Sequence, residues 1–309
     1  MATQTSATPG AHNAPAPQRP RRNSDSGSGV NFGRVLKSEW IKITTVPSTV
    51  ILLVCTVIVM VGLAALAAWA TAMTAQNFAE MSGAGTGTGN PTPPGAPDFS
   101  TFDPAAEALT IPPSGVIFGQ LLIASLAVVL IASEWATGMI RSTMVAVPKR
   151  IPALLAKNVV VALVSFVIGA LSAILSYVVA QPILAGEDID FAITVDGVLP
   201  SIINTGTYLA LIAVISMGIG TLLRNTAGGV VTAVALFFVI PLIVVGLLSG
   251  LADWIPEAAR FLPTEAGEQL IAITIDDGAL TQLEGGLVMG AWAVVLLVLS
   301  LVVTKKRDV

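Results

Sequence analysis

The chain has few charged residues for its length. Of its 309 residues only 11% are Asp, Glu, Lys or Arg, whereas 54% are hydrophobic, and the mean hydropathy is +0.83. Soluble domains carry about 25% charged residues, so this chain cannot cover a water-facing surface in the usual way. The composition therefore excludes an ordinary soluble protein and indicates that lipid surrounds most of the chain.

Histidine and cysteine are almost missing. The single histidine, His12, lies in a tail rich in Ala, Pro, Ser and Thr, and the single cysteine, Cys55, lies inside an apolar run. One histidine cannot supply a Ser-His dyad within the membrane, a multi-histidine zinc site or a pair of haem ligands. One cysteine excludes an intramolecular disulfide. We expect neither a metal site nor a catalytic residue.

Motifs that hold phosphates or expose a nucleophile are absent too. The sequence contains no G-x-x-x-x-G-K-[ST] and no G-x-S-x-G. Its apolar runs carry no Asp, Glu or Lys near their centres, where ion-coupled transporters usually need such a group. We expect a chain that is not an enzyme and binds no cofactor, and whose transport, if any, draws on energy from outside the membrane. An intramembrane protease or lipid transferase remains the enzyme alternative.

Six long apolar runs are present instead. A helix rises about 1.5 Å per residue and the hydrocarbon core is about 30 Å thick, so about 20 residues cross it. These runs are too continuous for the alternating strands of a barrel. They predict an all-α polytopic membrane protein with spans near residues 48–73, 114–133, 152–180, 201–223, 228–250 and 286–304.

The chain before the first span divides into two parts. Residues 1–30 have no apolar face, and we expect a disordered cytoplasmic tail there, ahead of a membrane domain over residues 31–309. Residues 31–45 predict a basic amphipathic helix in the membrane interface. Its apolar side is predicted to carry Phe32, Val35, Leu36, Trp40 and Ile43. Glu39 falls unexpectedly on that same side.

The connections between spans are of two kinds. Residues 74–113 predict a long polar loop, and apolar residues within 251–285 predict short helices at the outer surface between spans five and six. Only Arg224, Asn225 and Thr226 separate spans four and five, which predicts a tight turn.

The basic residues determine the expected orientation. With six spans, all but one of the 15 Lys and Arg residues lie on one side of the membrane, and only Arg260 lies on the other. Loops rich in Lys and Arg stay in the cytoplasm. We therefore expect a multi-pass protein of the plasma membrane with both termini in the cytoplasm.

The connection between spans two and three, residues 133–150, mixes apolar and charged side chains. Pro148 ends any helix there. A short, partly apolar, exposed helix of this kind could dock a soluble partner. Spacing alone favours the alternative, an ordinary interfacial loop whose bases reach lipid phosphates.

Four local motifs resemble those of type-2 ATP-binding-cassette permeases. These permeases often read E-[YW]-x-x-G-[TM]-I-R, then P-x-R and a run ending in A-K. The matching segments here are Glu134-Trp135-Ala136-Thr137-Gly138-Met139-Ile140-Arg141 with Pro148, Arg150 and Ala156-Lys157; Ser38-Glu39-Trp40-Ile41-Lys42; Leu262-Pro263-Thr264-Glu265-Ala266-Gly267; and Lys306-Arg307-Asp308. By layout the resemblance covers residues 31–309, and it departs from the family in the tail and in the loop 74–113.

The resemblance implies the membrane-spanning subunit of an ATP-driven transporter, an exporter by type. Such a subunit pairs with a second copy or a paralogue and with two separate ATPase subunits that bind ATP and Mg. It implies an elbow helix with Lys37, Glu39, Trp40 and Lys42. It also implies a helix that couples the chain to the ATPase, with Glu134, Trp135, Gly138, Met139, Ile140, Arg141, Pro148, Lys149 and Arg150. Membrane lipids are the other expected partners, and nucleic acid is not one. A non-transporting anchor or sensor that recruits an ATPase is the alternative.

Two acidic residues in these motifs suggest a contact between them. We hypothesise that Glu39 and Glu134 pair with bases among Arg141, Lys149, Arg150 and Lys157, which would tie the elbow helix to the coupling helix. Solvated interface charges of little energetic value are the alternative.

Three other features favour roles in packing. Pro241 is expected to kink the fifth span. The Gly286-x-x-x-Gly290 spacing permits close helix approach, within one subunit or at a dimer seam. An aromatic belt at the outer membrane boundary is expected from Tyr177, Tyr208, Trp254 and Trp292.

Overall fold

The computed structural model describes residues 32–84, 103–138, 150–275 and 278–306, and these contain helices and no strand. Six helices are long and apolar enough to cross a membrane, which confirms the predicted all-α fold with six spans. The expected tail, residues 1–30, lies outside the described residues. The helices are α1 (Phe32–Thr45), α2 (Pro47–Ala84), α3 (Pro104–Leu109), α4 (Val116–Ala136), α5 (Arg150–Leu184), α6 (Val198–Leu223), α7 (Thr226–Val234), α8 (Ile240–Ile243), α9 (Trp254–Ala259), α10 (Pro263–Ile271) and α11 (Gln282–Lys306).

The prediction of a loop over residues 74–113 is wrong at both ends of that range. Helix α2 continues to Ala84, and a further helix, α3, begins at Pro104 after the N-cap Asp103. Residues 74–82 lose hydropathy but contain neither Gly nor Pro, so nothing in them ends the helix. At 38 residues α2 is about 57 Å long, well beyond the thickness of the hydrocarbon core.

Helix α1 forms as predicted, but its buried face differs from the expected apolar side. Val35, Glu39 and Ile43 are buried, at the i, i+4, i+8 spacing of one helical stripe. Phe32 and Trp40, predicted on the same side, are exposed. Only a narrow face of α1 therefore packs against the bundle, and Glu39 lies on that face.

Helix α6 is the centre of the bundle. Most of its residues are buried, and it packs against α4, α5 and α11. Small residues allow the closest approach: a Cβ added to Gly169 of α5 would lie 2.9 Å from the Cα of Gly206 in α6. The tight turn after α6 is confirmed, since α7 begins at Thr226 with Asn225 as its N-cap.

The fifth span is one rod from Thr226 to Leu248, but it is not a uniform α-helix. π-helical turns, Ala235–Val239 and Val244–Leu248, lie on either side of Pro241. Proline cannot donate to the carbonyl four residues back, which here is Phe237. The Phe237 carbonyl accepts from Thr264 Oγ1 of α10 at 2.9 Å and from Gln120 Nε2 of α4 at a long 3.5 Å.

The predicted helices between spans five and six are α9 and α10, and α10 explains much of the Leu262–Gly267 motif. Pro263 occupies the first turn, Thr264 reaches the Phe237 carbonyl, and Gly267 lies against the ring of Tyr208. Tyr208 is fully buried, and its hydroxyl donates to Gln120 Oε1. The prediction that Tyr208 belongs to an aromatic belt is therefore wrong.

The glycine spacing in α11 does not bring helices together within the chain. A Cβ on Gly290 would meet no atom within 4 Å, and one on Gly286 would meet only Leu270 Cδ1 at 3.3 Å. The close approach is at Gly285, where a Cβ would overlap the Ala266 carbonyl oxygen of α10.

Replacing Gly267 by Ala should destabilise the bundle. The added methyl would overlap the Tyr208 ring, which is fully buried and cannot move aside. We expect a loss of about 1–3 kcal/mol in the free energy of unfolding, measured by thermal denaturation in detergent.

Gly62→Ala is the matched control. Gly62 lies in α2 with nothing within 4 Å of an added Cβ. Alanine is the better helix former there, so this variant should be as stable as the parent or more so. Equal melting of both variants would contradict the packing described for Tyr208.

Candidate functional site

Four charged side chains meet at the end of the bundle that carries α1, which we call the elbow end. Lys157 Nζ lies 2.5 Å from Glu39 Oε2 and 2.8 Å from Glu134 Oε1. Lys42 Nζ lies 2.9 Å from Glu39 Oε1 and 3.3 Å from the same Glu134 oxygen. We call Glu39, Lys42, Glu134 and Lys157 the elbow cluster. It joins α1, α4 and α5 in one network.

Local helix geometry brings these side chains together. Glu39 lies on the buried stripe of α1, and Lys42 follows it by three residues, so the two meet on one side of that helix. Glu134 is in the last turn of α4, and Lys157 is in the second turn of α5. The end of α4 and the start of α5 thus lie at the same level of the bundle, next to α1.

The elbow cluster is buried and electrically balanced. Glu39, Lys157 and Glu134 are 3%, 7% and 8% exposed, while Lys42 is half-buried. Two carboxylates face two ammonium groups, so the formal charge is zero. Each Lys ammonium donates to both carboxylates. A buried charge without such partners would be strongly destabilising.

The pKa values of the two α1 residues reflect this pairing. Burial alone raises the pKa of Glu39, but the charges and hydrogen bonds of Lys157 and Lys42 outweigh it, so this pKa lies below its ordinary value. Burial likewise lowers the pKa of Lys42, but its hydrogen bond to Glu39 and the charge of Glu134 raise it above the ordinary value. The stabilisation is therefore complete near neutral pH. It is lost as acid protonates Glu39 or as strong base deprotonates Lys42.

The hypothesis that Glu39 and Glu134 pair with a nearby base is confirmed for Lys157. Its other candidates, Arg141 and Lys149, lie outside the described residues. Arg150 begins α5, and its side chain lies outside the description as well. Sequence reasoning missed the contact from Lys42 to Glu134.

The remaining predicted site residues have separate surroundings. Lys37 and Trp40 are exposed on α1. Gly138 follows the end of α4 with φ of 70°, a conformation that favours glycine and ends the helix. The ring of Trp135 lies 3.8 Å below the guanidinium carbon of Arg224. Met139, Ile140 and Pro148 are outside the described residues.

The Trp135–Arg224 contact adds a second tie at the elbow end. A guanidinium above an indole ring is attracted by the ring electrons. Arg224 is the first residue of the turn between α6 and α7, with φ of 53°. Sequence reasoning missed this contact, although a lone arginine in a three-residue turn was a signal for it.

The elbow cluster links three helices through ion pairs. It contains carboxylates and ammonium groups already paired with one another. No group of three or more His, Cys, Asp or Glu side chains that could hold a metal ion occurs in the part of the chain that the structure describes.

Comparisons with known proteins leave the family open. No family model matches the chain, and no curated protein matches it.

Replacing Lys157 by Gln should destabilise the protein strongly. The change leaves the carboxylates of Glu39 and Glu134 buried with only Lys42 between them. Breaking a buried pair by removing one partner costs about 3–5 kcal/mol, which should appear as a lowered melting temperature in detergent at neutral pH.

Lys37→Gln removes one positive charge from the exposed side of the elbow helix and serves as the control. It should melt within about 0.5 kcal/mol of the parent. If the two variants melted together, the elbow cluster would contribute nothing beyond surface charge.

Proposed function

We propose that the chain is the membrane-spanning permease subunit of a type-2 ATP-binding-cassette transporter and that it exports its cargo. It works as a dimer with a second copy or a paralogue, and two separate ATPase subunits supply the energy. ATP and Mg bind to those partners, and this chain performs no covalent chemistry. The six-span fold is compatible with this function, and the four local motifs are its sequence support.

The elbow cluster is the observation that carries the proposal. It joins the segment that resembles an elbow helix, through Glu39 and Lys42, to the residue that opens the coupling motif, Glu134. Lys157 extends the same network to α5, on the other side of the connection. A push on residues 139–149 would therefore act on α1, α4 and α5 together. A half-transporter needs this mechanical property to convert ATPase closure into movement of its spans.

The distribution of basic residues supports the orientation. The elbow end carries Lys42, Lys157, Arg224 and Lys305, whereas Arg260 lies at the opposite end of the bundle. By the positive-inside rule the elbow end faces the cytoplasm, where an ATPase could reach it. The protein would then reside in the plasma membrane with both termini inside.

Cysteine labelling of intact cells tests this orientation. In a Cys55→Ser background, Asp190→Cys between α5 and α6 should react with a membrane-impermeant maleimide added outside. Ser38→Cys on α1 should react only after the cells are opened. Both positions are exposed, so accessibility to water is matched. Labelling of Ser38→Cys from outside would overturn the proposed topology.

A charge swap tests the coupling. The chain should co-purify with a P-loop ATPase in mild detergent and raise its rate of ATP hydrolysis after reconstitution. Lys157→Glu places three carboxylates around Lys42 and should abolish this stimulation. Adding Glu39→Lys returns one positive charge to the elbow cluster and should restore part of it. Lys37→Glu, on the exposed side of α1, should leave the rate unchanged.

The possible outcomes separate transport from recruitment. Co-purification with an ATPase whose rate does not depend on the chain would favour the anchor alternative. Absence of any P-loop ATPase from the purified complex would refute both interpretations.

A further inference from the structure

A second polar site lies at the far end of the bundle, opposite the elbow end. A cleft of about 380 Å³ opens between the end of the fifth span, helices α9 and α10, and residues 278–280. The polar residues of its wall are Ser249, Glu257, Arg260, Glu265 and Gln269. No residue of the elbow cluster lines it, and the proposed coupling makes no use of it.

The carboxylates of this cleft have no hydrogen-bond or ion-pair partner among the described residues. Among the described residues, no side-chain hydrogen bond or ion pair engages Glu257, Arg260 or Glu265. Gln269 Oε1 is buried and also lacks a hydrogen-bond donor within those residues. The Arg260 guanidinium carbon lies 5.0 Å from the Phe261 ring centroid, which is a cation–π contact, and neither carboxylate of the cleft forms an ion pair with it. A buried oxygen without a donor and a set of opposite charges that do not pair indicate a place for a ligand.

The arrangement favours a ligand that carries both charges. Glu257 and Arg260 are three residues apart in and just after α9, and Glu265 and Gln269 are four apart on α10, so each pair lies on one helix side. Carboxylates and an amide oxygen accept hydrogen bonds from an ammonium group. A guanidinium binds phosphate through two parallel hydrogen bonds.

The form of the ammonium group follows from what the wall contains. Quaternary ammonium ions are recognised by aromatic cages. The described residues that line the cleft include no aromatic side chain. They offer hydrogen-bond acceptors, which need N–H donors, and this selects a primary ammonium over a trimethylated one.

The surroundings indicate that the ligand has apolar chains. Leu247 and Leu251 are each 73% exposed and Trp254 is 67% exposed, all within the chain segment that runs along the cleft from Val245 to Arg260. Large apolar residues and a tryptophan at the end of a span are typical of the boundary between acyl chains and headgroups. A phospholipid would place its headgroup and its chains in these two neighbouring environments.

We propose that this cleft binds the phosphoethanolamine headgroup of a bilayer phospholipid, with the phosphate on Arg260 and the ammonium among Glu257, Glu265 and Gln269. The acyl chains lie along Leu247 and Leu251. The proposal requires this end of the bundle to lie at a membrane surface, and it does not depend on transport or on an ATPase.

Calorimetric titration of the purified chain in detergent tests the proposal with four probes. These are dihexanoyl phosphatidylethanolamine, the matching phosphatidylcholine, the matching phosphatidylglycerol and free phosphoethanolamine. The first should bind at least about tenfold more tightly than the choline and glycerol lipids, the factor expected for one charge-assisted hydrogen bond. It should also bind at least about tenfold more tightly than free phosphoethanolamine, which has no acyl chains to bury. Phosphatidylcholine also corrects for partition into micelles.

Variants then locate the binding. Arg260→Gln should weaken binding of the ethanolamine lipid at least about tenfold, and Glu257→Gln with Glu265→Gln should remove its preference over the choline lipid. Ala279→Trp should block binding because the added indole fills the cleft, without removing a charge. Asp190→Asn is the control, because Asp190 is exposed between α5 and α6 and does not line the cleft.

Several outcomes would overturn the proposal. Equal binding of the ethanolamine and choline lipids would remove the role of the primary ammonium. Equal binding of free phosphoethanolamine would remove the role of the acyl chains. Binding that survives both Arg260→Gln and Ala279→Trp would place the lipid elsewhere. None of these results bears on ATPase stimulation, so the transport proposal stands or falls separately.

Discussion

A polar group inside a bilayer finds no water, and this constraint explains the main contacts of the structure. Every long apolar segment is helical, so that its backbone satisfies itself. Where Pro241 interrupts that pattern, the Phe237 carbonyl accepts from Thr264 and Gln120. The Tyr208 hydroxyl likewise donates to Gln120, and the four charges of the elbow cluster balance one another. These polar contacts thus tie helices together at several places in the bundle.

These ties lie at different depths and connect different helices. The elbow cluster holds α1, α4 and α5 at one end, while Thr264 and Gly267 hold α10 against the fifth span and α6 nearer the other. Helix α4 takes part in both through Glu134 and Gln120. A displacement of α4 at the elbow end would consequently reach α10 through a single helix. This is a physical route between the proposed coupling segment and the opposite surface.

Sequence reasoning predicted the spans, the tight turn and the short helices, because length and hydropathy decide them. It did not predict which apolar residues face protein, because lipid and protein interior are equally apolar and leave no contrast in the pattern. Tyr208 was therefore assigned to a belt, and Phe32 and Trp40 were predicted to share one apolar side of α1 with the residues that are buried. The pairing of Glu39 with a base could be predicted, since a carboxylate on the apolar side of a helix needs a cation. The end of α2 was predicted too early. Hydropathy falls after residue 73, but the residues that follow still favour a helix.

The order of the four charges along the chain has a consequence for biosynthesis. During synthesis Glu39, Lys42 and Glu134 emerge first, and Lys157 follows only with the next span. Until α5 has entered the membrane, the nascent protein has two acidic residues and only one basic residue at a site that is buried in the finished fold. A chain interrupted after α4 would keep that imbalance exposed at the bilayer surface, where quality-control proteases could distinguish it from the finished fold.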